Sequence, residues 1–114
     1  MSVGAARLLS PDVATHALEH EPLPADEVLE GAPTAAVSSL AEVAGIGVGL
    51  WEMSAGTARD TEVDEVFVVL AGRGDVTFED GTELELRPGV AVRLTAGERT
   101  TWRVTETLRK VWVA

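Results

Sequence analysis

Residues 60–74, DTEVDEVFVVLAGRG, decide the fold of this chain. Residues 66–70 are all apolar and rich in β-branched side chains, which predicts a strand buried on both faces. Glu65 stands directly before that run. Because an unpaired buried charge is strongly disfavoured, we expect Glu65 to lie at the wet end of the strand, to line a cavity or to have a charged partner.

Short strands and turn signals alternate on both sides of this stretch. Glycine-bearing turns are predicted at residues 44–45, 72–74, 88–89 and 95–98, and Asp80-Gly81 predicts a type I′ hairpin. The strands predicted between them are residues 36–40, 46–53, 57–63, 65–70, 75–78, 82–87, 90–94, 100–104 and 108–113. No stretch keeps a helical period, so the pattern predicts an all-β sandwich or barrel.

Composition limits the class of protein. With 114 residues, 46% of them hydrophobic, the chain suits one compact domain. It has no cysteine, which excludes disulfides, thiolate metal sites and a cysteine nucleophile. A net charge of −10 argues against nucleic acid and anionic membranes as partners. We see no signal peptide in the first ten residues and no apolar run long enough to span a bilayer, so we expect a cytoplasmic location.

Two spacings resemble the framework of the two cupin motifs. Six residues separate Glu65 from Gly72, and Gly89 is followed by five residues, then Thr95-Ala96-Gly97, two residues and Thr100. Three segments also resemble a branch of small single-domain cupins that includes relatives of ureidoglycine aminohydrolase and of the ethanolamine-utilisation cupins. These segments are PLPADEVLEGAP (residues 22–33), GLWEMSAG (49–56) and WRVTETLRKVWV (102–113).

The resemblance implies a cupin-type double-stranded β-helix, also called a jelly-roll barrel. We expect residues 35–114 to form this barrel and residues 1–34 to form an irregular N-terminal extension that packs on it. Residues 66–70 and 46–50 are apolar on both faces, so the barrel needs a covering layer from the N-terminal segment or a second subunit. We predict a homodimer.

The chain departs from the metal-binding cupins at the ligand positions. Residues 59–61, Arg-Asp-Thr, stand where those cupins have a histidine pair, and Thr100 stands at the third histidine position. Only Glu65 remains of the four ligands, and one carboxylate with hydroxyls binds transition metals poorly. We therefore predict no metal and no cofactor. His16 and His20 lie outside both motifs, and we expect them to have surface or packing roles.

The cupin register places Glu65 at the mouth of the barrel, with Arg59 beside it. We predict Glu65 as a catalytic acid or base. The predicted ligand-binding residues are Arg59, Thr61, Phe67, Thr100 and Trp102. The alternative is that Arg59 and Glu65 form a salt bridge that closes the end of the barrel and binds nothing.

Two classes of function stay open at this point. In the first class, which the resemblance implies, the chain is a small-molecule-binding cupin without the histidine metal site, and it could also be a metal-independent enzyme of small-metabolite metabolism. The alternative is a non-catalytic binding or accessory module with a vestigial pocket. The sequence names no ligand and does not decide whether there is catalysis, because one fold hosts many chemistries.

Overall fold

The computed structural model describes residues 6–114, and this part of the chain is all-β. The strands are β1 (Glu21–Pro22), β2 (Val28–Glu30), β3 (Thr34–Val43), β4 (Ile46–Met53), β5 (Gly56–Thr61), β6 (Glu65–Phe78), β7 (Glu83–Leu86), β8 (Ala91–Leu94) and β9 (Arg99–Val113). The described residues contain no helix with the length and hydrophobicity needed to cross a lipid bilayer.

The strands form one strongly curled antiparallel sheet. The order along its main path is β1-β3-β4-β9-β5-β2, and β6 pairs with β7, β8 and β9. The end of β9 pairs with β4, the start of β9 pairs with β5, and β6 runs antiparallel to β9 over most of its length. The two long strands thereby close the sheet into the predicted jelly-roll barrel, and the predicted all-β fold is confirmed.

The turn predicted at residues 72–74 is wrong. β6 continues from Glu65 to Phe78, with register shifts against β9 around Ala71 and Arg73. Gly72 has φ +92°, and a Cβ atom there would overlap the backbone at Thr107. The glycine therefore allows a bulge and a close approach of two strands where the sequence suggested a chain reversal. β9 is likewise one strand, where the sequence predicted two.

The hairpin predicted at Asp80-Gly81 is confirmed, but its turn type differs from the prediction. A type I′ turn needs positive φ at both central residues, and Asp80 is not among the residues with positive φ. Gly81 has φ +89°, its N–H donates to the carbonyl of Phe78 at 3.0 Å, and the N–H of Phe78 donates to Thr82 at 2.8 Å. The connection is thus a three-residue loop closed by a left-handed glycine.

The two faces of β9 have different surroundings. Leu108, Lys110 and Trp112 point into the barrel, because alternate residues of a strand share a face. Leu108 is fully buried and belongs to the hydrophobic core, together with Met53, Phe67, Val69, Val76, Leu86, Leu94 and Val104. Arg109 points to the outer face, where Leu50 is also fully buried.

Arg109 attaches the N-terminal segment to the outer face of the barrel. Its Nη1 donates to the carbonyl oxygens of Val13 and His16, at 2.8 Å each, and its Nε donates to Glu52 at 2.7 Å. Burial raises the pKa of Glu52, but hydrogen bonds from Arg109 and His20 outweigh it and hold the pKa below its ordinary value. His16 and His20 thus lie in this outer layer, away from the interior of the barrel.

β1 and β2 lie in the predicted N-terminal extension, residues 1–34, and they add two strands to the sheet, since β1 pairs with β3 and β2 pairs with β5. The division of the chain at residue 34 stays a prediction, and residues 1–5 of the predicted extension lie outside the described residues.

Candidate functional site

A cavity of about 450 Å³ lies at the mouth of the barrel, next to the start of β6. Its wall is apolar on the sheet side, where Trp51, Met53 and Trp102 contribute, and charged at the rim. The lining residues are Leu23, Glu27, Val37, Trp51, Met53, Ala58, Arg59, Asp60, Thr61, Glu62, Val63, Glu65, Trp102, Lys110, Trp112 and Ala114. A concave site with apolar walls and a few polar groups is typical of a small-molecule pocket.

Lys110 is the centre of the polar chemistry in this cavity. It is the only lysine in the chain, and only 6% of its side chain is exposed. Its Nζ donates to Oε2 of Glu65 at 2.6 Å, and the Glu65 side chain is itself 14% exposed. Glu65 therefore has a buried, oppositely charged partner. This is one of the three surroundings expected from the sequence for a carboxylate next to a buried strand.

Three aromatic rings surround the same ammonium group. Nζ of Lys110 lies 4.8 Å from the ring centroid of Trp51, 4.4 Å from that of Phe67 and 5.0 Å from that of Trp102. These distances are within the range of cation–π attraction, which is stronger in a desolvated site. The indole N–H of Trp102 donates to Oγ1 of Thr100 at 3.0 Å and fixes the orientation of that ring.

The ion pair considered between Arg59 and Glu65 is not formed. The Arg59 guanidinium instead donates to the carbonyl oxygen of Asp26, at 2.9 Å and 3.1 Å, and Lys110 pairs with Glu65. This happens because Arg59 lies on the exposed side of β5, at the rim of the cavity, where its long side chain reaches the backbone of the N-terminal segment.

The six predicted site residues thus differ in their distance from the cavity. Glu65 and Trp102 line the cavity together with Lys110, and Arg59 and Thr61 stand at its rim. Phe67 is fully buried and reaches the site only through the ring face that it turns toward Lys110. Thr100 is buried behind Trp102, so it positions the ring and does not line the cavity.

Glu62 is a second buried carboxyl group in the cavity wall. It is only 8% exposed, and no hydrogen-bond donor contacts its Oε2. Burial, a hydrogen bond to Asp60 and the charge of Asp60 together raise the pKa of Glu62 to about 8, against the opposing effect of Lys110. Glu62 is therefore mostly protonated at neutral pH.

The raised pKa of Glu62 predicts a stability that falls with rising pH. The unfolded chain releases this proton near pH 4.5, whereas the folded chain keeps it to about pH 8. The free energy of unfolding should therefore decline between these values and level off above them. Denaturant melts of Glu62→Gln from pH 5 to pH 9 should lack this decline, and the exposed Glu83→Gln should keep it. An equal decline in wild type and Glu62→Gln would contradict the prediction.

The side chains at the cavity do not fit the metal ion that the histidine-bearing cupins carry. Glu65 is the only ligand type left at the motif positions, and the Lys110 ammonium beside it would repel a divalent cation. Among residues 6–114, no three His, Cys, Asp or Glu side chains are grouped closely enough to hold a metal ion.

Sequence reasoning missed Lys110 and Glu62. Lys110 could have been found from strand alternation, because it shares a face with Leu108 and Trp112, and a single lysine on an inward face is informative in a chain with eight arginines. Glu62 gave no such signal. Its burial depends on how the connection between β5 and β6 folds back, which shows in the hydrogen bond from its N–H to Glu98 and in the one that its carbonyl accepts from Gly97.

The closed jelly roll, with a polar cavity at its mouth, defines this protein as a small cupin. Residues 40–112 match the family model described as the EutQ-like cupin domain. The chain belongs to this family, and it is related to the ethanolamine-utilisation cupins. No curated protein matches the chain.

Solved structures support the assignment of the fold. The EutQ protein of Clostridium difficile is 21% identical, over 71% of this chain and 67% of that one, with a TM-score of 0.62. A DUF861-family protein of unknown function from Pseudomonas syringae pv. tomato is 19% identical, over 87% of this chain and 44% of that one, with a TM-score of 0.75. Ectoine synthase from P. lautus is 20% identical, over 69% of this chain and 62% of that one, with a TM-score of 0.63.

Proposed function

We propose that this protein binds a small organic molecule in the cavity at the barrel mouth and does so without a metal ion. The observation that carries the proposal is the buried pair of Lys110 and Glu65, which lies under three aromatic rings on the wall of a cavity of about 450 Å³. A buried ion pair is a poor device for stability alone, because desolvation cancels much of its attraction.

The lining supports a ligand with a flat or apolar part and at least one oxygen acceptor. The Trp51 and Trp102 rings offer apolar surface, and their centroids lie 5.5 Å apart. The Lys110 ammonium has three N–H groups, of which Glu65 accepts one, so a ligand oxygen can accept another. This proposal revises the role of Arg59, whose guanidinium is already bonded to Asp26.

The finer form of the proposal is a metal-independent enzyme of small-metabolite metabolism. Glu62 suits an acid–base role better than Glu65 does, because its pKa of about 8 lies close to neutral pH. Glu65 contacts the Lys110 ammonium at 2.6 Å and suits the positioning of a cationic or hydrogen-bonding group. The alternative is a non-catalytic binding or accessory module, which the packing of Lys110 supports, because Glu65 and the three rings already balance the charge of its ammonium group within the chain.

A thermal-shift screen against a metabolite collection tests the proposal, since a ligand that binds only the folded state raises the melting temperature. We expect a hit with wild type that is lost in Lys110→Met and kept in Arg99→Met, whose side chain is 74% exposed and does not line the cavity. If a ligand raises the melting temperature of Lys110→Met as much as that of wild type, it binds outside this cavity. Turnover of a hit by wild type, lost in Glu62→Gln, would decide for the enzyme over the accessory module.

We also propose that the protein is a homodimer. Val48, Val113 and Val66 are aligned across β4, β9 and β6, and Val66 and Val113 are 46% and 42% exposed. Ile46, on the same edge of the barrel, is 49% exposed. A row of exposed and half-buried valines across three strands is suited to a matching row on a second copy, and residues 13–16 cover a different part of this face, around Arg109.

The dimer proposal predicts the effect of one charge. Val66→Lys should convert a dimeric mass in light scattering at micromolar concentration to a monomeric one, because a lysine in the valine row cannot be desolvated cheaply. Leu29→Lys places the same charge on an equally exposed residue of β2, at the far edge of the sheet, and should leave the mass unchanged. A wild-type protein that is already monomeric would refute the proposal.

The remaining proposals rest on composition. The charge of −10 supports the proposal that neither nucleic acid nor anionic membranes are partners. A cytoplasmic location likewise stays a proposal drawn from the sequence.

A further inference from the structure

The surroundings of the Lys110 ammonium form a binding site for a primary ammonium group. Three ring centroids lie 4.4 Å to 5.0 Å from Nζ, and a carboxylate oxygen lies 2.6 Å from it. Aromatic rings arranged around one position with a carboxylate at hydrogen-bond distance are the means by which proteins bind organic cations. We call this set, Trp51, Phe67, Trp102 and Glu65, the ammonium cage.

The occupant of the cage is unusual for this chain. All eight other basic side chains are arginines, and Lys110 is the one ammonium side chain that the sequence contains. A guanidinium is planar and wide, whereas an ammonium is a compact point charge that can sit between three rings and still donate to Glu65. The choice of lysine at this position therefore matches the shape of the cage.

We propose that Lys110 is the resident cation of this cupin: its ammonium group supplies, from within the chain, the positive charge that a metal ion supplies in histidine-bearing cupins. Lys110 compensates the charge of Glu65 and leaves N–H groups for a ligand oxygen. The same cage, emptied of its lysine, is a site for a small primary alkylammonium ion and not for a divalent metal, because rings attract a soft organic cation but supply no ligand atoms to a metal. This inference is independent of whether the cavity has a natural ligand.

The first test uses the wild-type protein. Because the chain has one lysine, labelling with lysine that carries ¹⁵N at Nζ and ¹³C at Cε gives one side-chain signal of each kind. We expect the Cε protons to be shifted strongly upfield by the three rings, and the ammonium protons to exchange slowly enough with water to be detected at neutral pH. Cε shifts equal to those of free lysine would overturn the proposal.

The second test empties the cage and refills it. Lys110→Ala removes four heavy atoms, and propylammonium contains the same four. We expect Lys110→Ala to lower the melting temperature by about 10 °C or more, and 50 mM propylammonium to restore about 4 °C of it through binding. Zinc should give no such rise.

Two controls show whether the cage requires a positive charge or accepts any group that fills its volume. Propan-1-ol has the shape of propylammonium without its charge, and an equal rise with propan-1-ol would show that the cage takes any group that fills it, which overturns the proposal. Arg109→Ala removes the neighbouring buried cation on the outer face, and its melting temperature should not respond to propylammonium. If Lys110→Ala does not fold, Lys110→Met decides together with the labelled wild type: a Lys110→Met protein as stable as wild type would refute the need for a cation.

Discussion

Gly72→Ala is expected to prevent the stable folding of this protein, with a loss of more than about 4 kcal/mol in the free energy of unfolding. Gly72 has φ +92°, and a Cβ atom there would overlap the carbonyl oxygen of Thr107, with the Cα of Leu108 only 2.6 Å away. All these contacts are backbone atoms of β9, so no side chain can turn away to make room. To make room for the Cβ atom, β6 and β9 would have to move apart at the point where their pairing closes the barrel.

Gly97→Ala is the matched control for this prediction. Gly97 has a similar φ of +88°, but nothing lies within 4 Å of the position of its Cβ. This variant therefore measures the cost of the left-handed conformation alone, which is about 1 kcal/mol. Denaturant melts of both variants give the comparison, and similar losses would mean that β9 moves away from Gly72 at little cost.

Glu65→Gln is expected to cost about 3 kcal/mol in the free energy of unfolding, because it leaves the Lys110 ammonium buried without its counter-charge. The side chains of this pair are 14% and 6% exposed, so solvent does little to screen the loss. A solvated pair of Glu65 with Arg59, as the sequence suggested, would have made the same change cost about 1 kcal/mol or less. The size of the loss therefore distinguishes a buried pair from a solvated one.

A double variant provides the control. Glu65→Gln combined with Lys110→Met removes both charges, and it should be more stable than Glu65→Gln alone, since no unpaired charge is left buried. Arg59→Met should be tolerated with a loss of about 1 kcal/mol or less, as expected for a side chain whose hydrogen bonds are exposed to solvent. A larger loss in Arg59→Met than in Glu65→Gln would return the pair to the original interpretation.

Most of the fold could be predicted from local signals. The hairpin between β3 and β4 follows from the alternation of residues 46–53 and from Gly45, and the strands after it follow from glycine turns. The prediction failed at residues 72–74 because Gly72 has two uses that look alike in a sequence: it can reverse the chain, or it can let two strands approach each other. Only the contact with Thr107, which is distant in the sequence, distinguishes them.

The site could be predicted less completely than the fold. The positions of Glu65 and Trp102 in the cavity wall could be predicted, because the spacing of the motifs and strand alternation both place them at the mouth of the barrel. The partner of Glu65 was wrong because Arg59 is close in sequence, whereas Lys110 reaches the same position through the pairing of β6 with β9, across 45 residues. Pairings at that separation depend on which strands are neighbours, and periodicity does not contain this information.

Arg109 and Lys110 are consecutive residues with their side chains on opposite sides of the barrel wall. One peptide unit of β9 thus joins two compartments: the outer layer, where Arg109 anchors the carbonyls of Val13 and His16, and the cavity, where Lys110 meets Glu65. A shift of this unit that relaxes one set of contacts is imposed on the other, so their free energies are coupled, and the coupling is reciprocal. Binding of a ligand in the cavity should then slow the amide hydrogen exchange of residues 13–16, although this segment does not contact the ligand.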